Sequence, residues 1–98
     1  MKKGIDIMEN VKNVYNGQEL TKVLNNVIKT KKTTKIVFHE DLFGFSNDEI
    51  HILIQFDKFG DWIVTSHDVL DGYSTKDNTK TFTNDWNMKD YVWAVCGW

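Results

Sequence analysis

Three histidines and one cysteine, His39, His51, His67 and Cys96, are the side chains in these 98 residues best suited to hold a borderline metal such as zinc. Spacing places two of them together. The stretch Glu49-Ile50-His51-Ile52-Leu53-Ile54-Gln55-Phe56-Asp57 is followed by Lys58-Phe59-Gly60 and then by Asp61-Trp62-Ile63-Val64-Thr65-Ser66-His67. A three-residue loop ending in Gly is a favoured hairpin connection, because its last position is left-handed and Gly adopts that shape at little steric cost. Closing the loop this way pairs Phe56 with Trp62, Ile54 with Val64 and Ile52 with Ser66 on one face. On the other face it pairs Gln55 with Ile63, Leu53 with Thr65 and His51 with His67. Directly opposed Cβ atoms lie ~5 Å apart, close enough for two imidazoles to share one cation.

The third histidine joins through the preceding strand, Lys35-Ile36-Val37-Phe38-His39. Setting His39 opposite His51 brings Phe38 to Ile52, Ile36 to Ile54 and Val37 beside Leu53, so the apolar face stays continuous. His39, His51 and His67 then form a row, the first shell of a tetrahedral Zn2+ site short of one ligand. Cys96 is the leading fourth ligand; Asp68, Glu40 or a water are the alternatives. A closed His₃Cys shell would be structural and would supplement a thin core, whereas a bound water would open the way to hydrolysis. The sequence has no CxxC, HxxxH or HExxH, so strand register alone carries this site. The plain alternative is three surface histidines on a wet sheet face.

Catalysis finds less support. His51 and His67 with a lysine could serve as acid, base and phosphate holder in a metal-free ribonuclease. The surrounding charges are acidic, however, and repel a polyanion. GxGxxG, Walker A and GxSxG patterns are missing, and a lone Cys96 suits packing better than nucleophilic attack. The expectation is a binding protein and not an enzyme.

Several elements must position these residues. Leu20, Val23, Leu24, Val27 and Ile28 form one apolar stripe, which predicts a helix over 18–28. Asn16 can cap it, with Glu19 completing a capping-box pattern. Ile7, Val11, Val14 and Tyr15 suggest a second helix over 5–15 that ends near Asn16-Gly17. Asp41-Leu42-Phe43-Gly44-Phe45-Ser46-Asn47-Asp48 reads as a loop whose apolar residues either fold back over the sheet edge or form a contact patch. Residues 71–78 carry turn signals, and Thr79–Thr83 suits an edge strand guarded by Lys80. In the tail, Met88, Val92, Val95 and Cys96 favour a helix over a strand of good β propensity. The expected class is α+β: residues 1–98 as a single domain, with helices packed on one face of an antiparallel sheet of three to four strands.

Charge divides the chain. Residues 1–35 carry eight Lys against three acids, a net of +5, and residues 36–98 carry four Lys against eleven acids, a net of −7. All twelve basic residues are Lys. Without the bidentate fork of Arg, sequence-specific DNA reading is disfavoured, and an acidic two-thirds of the chain suits a basic partner. Asp41, Asp48 and Asp71, with Phe43 and Phe45, are the expected contacts with a protein partner. The alternative is a small nucleic-acid-binding accessory protein working through Lys29–Lys35, although Lys residues after a helix also answer its macrodipole. One cysteine excludes an internal disulfide. With no secretory signal or long apolar run, the expected setting is soluble and cytoplasmic, away from membranes.

As a whole, the profile resembles small phage- or prophage-encoded inhibitors of bacterial defence, such as anti-CRISPR proteins. The resemblance lies in a short single domain, acidic charge, Lys and Asn in place of Arg and Pro, and no enzyme signature. It covers the whole chain and rests on no motif. It implies a viral protein in the host-cell cytoplasm that binds a basic nuclease, such as a CRISPR-Cas effector, and blocks guide or target loading.

Overall fold

The computed structural model describes residues 10–39 and 48–97. Within them, strand β1 (Asn10–Val14) leads into helix α1 (Gly17–Thr30), followed by β2 (Thr34–His39), β3 (Glu49–Phe56), β4 (Trp62–Leu70), β5 (Tyr73–Ser74), β6 (Asn78–Phe82) and helix α2 (Asp85–Val95). The class is α+β. The sheet corrects the sequence expectation: among the described residues it has six strands, in the order β1-β2-β3-β4-β5 with β6 also on β4, and β1 runs parallel to β2. No helix among the described residues is long and apolar enough to cross a membrane.

The hairpin forms in the register its loop dictates. Gly60 sits at φ +88°, and Asp57 ties the loop together by accepting from the backbone N–H of Phe59 and of Asp61, each at 2.9 Å. Phe56 meets Trp62, Ile54 meets Val64 and His51 meets His67. Alternation then sends Ile50, Ile52, Ile54, Trp62 and Val64 to one face, where they bury with Ile36 and Phe38 of β2.

Both helices cover that face. Leu20, Leu24 and Val27 of α1 and Met88 and Val92 of α2 complete the core, together with Val14 and Cys96. Asn16 caps α1 by accepting from Glu19 N–H at 2.9 Å, while the Glu19 carboxylate accepts from Tyr15 N–H, one residue before the cap. Asn84 caps α2 in the same way through Asn87 N–H. The indole of Trp62 donates to Asp85 at 2.7 Å, which fastens the first turn of α2 to β4.

The helix expected over 5–15 is corrected in its described part, where 10–14 is a strand. Val14 is sealed in the core, whereas Val11 lies on the opposite face and is half exposed. Their spacing suited a helical stripe equally well, so sequence periodicity could not separate the two.

Candidate functional site

The face away from the helices carries the histidines. His51 and His67 stack across the β3–β4 ladder with ring centroids 5.0 Å apart and planes 18° from parallel. Two directly opposed positions on a flat ladder impose that closeness. His39 shares the face but stands further along it: β2 pairs with β3 so that Val37 opposes His51 and His39 opposes Glu49. The expected pairing of His39 with His51 is therefore corrected by two residues. The β2–β3 connection is too long to fix register, and apolar matching works as well with Phe38 against Ile50 and Ile36 against Ile52.

The shift inserts Glu49 between two histidines. Its Oε1 lies 2.8 Å from His51 Nε2 and its Oε2 lies 3.5 Å from His39 Nδ1. His39 Nε2 contacts Asn13 Oδ1 at 3.0 Å, and Tyr15 stacks on the ring with centroids 4.6 Å apart. At the other end of the row, His67 Nδ1 meets Asp77 Oδ1 at 3.0 Å.

A bulge brings Asp77 there. Val69 pairs with Ser74 and Ser66 with Asn78, so two residues of β4, His67 and Asp68, face three on the other side, Thr75 to Asp77. Thr75 engages Asp68 twice, donating its N–H to the carbonyl and accepting the Asp68 N–H on Oγ1, both at 2.8 Å. The extra residue changes the parity of the strand and turns Asp77 to the histidine face. Sequence reading placed a turn over 71–78 but had no signal for an inserted residue.

Cys96 lies on the far side of the sheet, buried at the end of α2 among the core residues. The expected set of His39, His51, His67 and Cys96 does not converge on one point, and among the described residues no group of three or more His, Cys, Asp or Glu is arranged to hold a metal. Asp68, the alternative ligand, occupies the position next to His67 on β4, where alternation sends it to the opposite face.

A second cluster forms at the sheet end that holds Glu49. Asp48 Oδ1 accepts from Asp71 N–H at 3.0 Å, joining residues 23 apart in sequence. Asp71 and Gly72 both have positive φ, 56° and 86°, the shape of a two-residue hairpin turn that matches strand twist. On either side stand Leu70, 42% exposed, and Tyr73, 79% exposed. Of the expected partner contacts, Asp48 and Asp71 are thus brought together, while Asp41, Phe43 and Phe45 lie outside the described residues, as does Glu40. The exposure of Leu70 and Tyr73 was missed by sequence reading. An Asp-Gly pair between two β-prone residues was the signal available for that turn.

The Lys29–Lys35 stretch is divided by the fold. Lys31 is the left-handed C-cap of α1; its ammonium donates to Ile28 O at 3.0 Å and lies 5.2 Å from the Phe56 ring centre. Lys35 lines the histidine face beside His51. No protein-family model, curated protein or solved structure matches the chain.

Proposed function

We propose that this chain works by holding a protein partner and not by turning over a substrate: an inhibitor that occupies the basic surface of a nucleic-acid-handling bacterial defence nuclease, as the anti-CRISPR resemblance implies. One observation carries the reading. Asp48 and Asp71 share one end of the sheet through a 3.0 Å hydrogen bond, flanked by the exposed Leu70 and Tyr73. Paired acids with an aromatic and an aliphatic anchor match a Lys/Arg-rich protein surface, where charge steers encounter and the apolar groups supply contact area. Nucleases present such surfaces because they must neutralise phosphates. No comparable observation favours the nucleic-acid-binding alternative, since Lys31 lies against Phe56 while Lys35 lines the histidine face.

The test is association with purified CRISPR-Cas effector nucleases, followed by inhibition of their DNA cleavage. The double reversal Asp48→Lys, Asp71→Lys should weaken binding by roughly tenfold or more, and most at low salt, where charge contacts are least screened. Unchanged affinity in the double variant overturns the acidic-end reading. Tight, salt-sensitive binding to bare DNA or RNA, with no effector bound, would replace it with the accessory-protein alternative.

A further inference from the structure

His51 and His67 each have one nitrogen committed to a carboxylate. An ionised carboxylate can only accept, so the contact between His51 Nε2 and Glu49 places the ring proton of a neutral His51 on Nε2 and leaves the lone pair on Nδ1. The contact between His67 Nδ1 and Asp77 leaves the lone pair of His67 on Nε2 by the same logic. His51 Nδ1 is buried and has no hydrogen-bond partner. A buried acceptor without a donor is costly and calls for a reason. Imidazoles that donate one N–H to a carboxylate while presenting the other nitrogen are the usual arrangement around a bound metal, where the carboxylate fixes the tautomer and raises ligand basicity.

Space and charge agree. A hollow of about 170 Å³ opens on the two rings, lined also by Lys35, Leu53, Thr65 and Asp77, and it has room for an ion with its waters. Lys35 opposes a cation there, but the carboxylates of Glu49 and Asp77 outnumber it.

We infer that His51 and His67 form a two-nitrogen site for a divalent transition ion such as Zn2+, Ni2+ or Cu2+, with Glu49 and Asp77 as its outer carboxylates and water completing the coordination. The site has fewer protein ligands than the His₃Cys shell the sequence suggested, and neither His39 nor Cys96 takes part. Imidazole lone pairs lie in the ring plane, so two nearly parallel rings must turn about their side-chain torsions to converge on one ion. Binding therefore exchanges the stack for coordination. Affinity should follow the general order for nitrogen ligands, with Cu2+ tightest.

The experiment is calorimetric titration of the full chain with each metal chloride, together with NMR of the imidazole protons. Wild type should bind one equivalent and, with diamagnetic Zn2+, the His51 and His67 ring signals should shift together and by more than those of His39. His67→Ala should abolish binding; its ring is partly exposed, so this variant tests the site without opening the core. Glu49→Gln and Asp77→Asn should each weaken affinity by roughly 10- to 100-fold. Lys35→Gln should tighten it, and Cys96→Ser should leave it unchanged. Absence of binding to wild type at millimolar metal, affinity unchanged in His67→Ala, or loss of binding in Cys96→Ser would each overturn the assignment.

Discussion

The two faces of the sheet use the same strands under different constraints. On the covered face, Ile36, Ile52, Ile54 and Val64 are fully sealed beneath the helices. On the open face, Lys35, His51, Leu53, Ile63, Thr65 and His67 remain half-buried, supported only by their neighbours along and across the strands. Packing dictates volume on the first face. On the second, where Val37 is the one buried side chain among the described residues, most positions can be chosen for their chemistry, because replacing them opens little or no cavity. The histidines, a carboxylate bridge and the bulge that aims Asp77 all fall on the side where the fold tolerates them.

That contrast can be broken by mutation. Trp62→Ala should have the largest effect, about 3–5 kcal/mol lost in denaturant unfolding, since it empties a large core volume and leaves Asp85 without its 2.7 Å donor. A loss below about 1 kcal/mol would mean that the helices do not seal that face. Asn16→Ala should cost about 1 kcal/mol by removing the cap of α1, measurable in the same experiment, and Asn16→Ser should recover most of it. Thr81→Ala, at an exposed open-face position opposite Ile63, should stay within about 0.5 kcal/mol of wild type. If Thr81→Ala rivals Asn16→Ala, the open face is less permissive than its exposure indicates.

Legibility of the fold followed the same division. The β3–β4 register was readable to the residue because a short Gly-terminated loop left no freedom, and that placed His51 against His67. The α1 stripe and its Asn16 cap were equally plain, and the tail formed the helix that Met88 and Val92 favoured. Failures occurred where local pattern lacked a long-range constraint. His39 slipped by two positions, a shift that keeps every side chain on its face and so escapes alternation arguments. Val11 and Val14 fit a helix as well as a strand. The inserted residue before Asn78 left no trace in residue type, so the Asp77 contact with His67 was invisible in advance.

The parallel strand β1 shapes how the molecule opens. Among the described residues its one neighbour in the sheet is β2, and of Val11 to Val14 only Val14 is buried in the core. Strands β2, β3 and β4, by contrast, form a continuous antiparallel meander. Native-state amide exchange should accordingly be fastest for β1 and slowest for the centre of β3, because local opening is cheapest where few apolar groups are released. Peeling β1 away would also carry off Asn13 and Tyr15, the two residues that hold His39 from that side, while the His51–His67 stack stayed in place. The row of histidines thus spans two units of different persistence, one that breathes and one that endures until the whole domain unfolds.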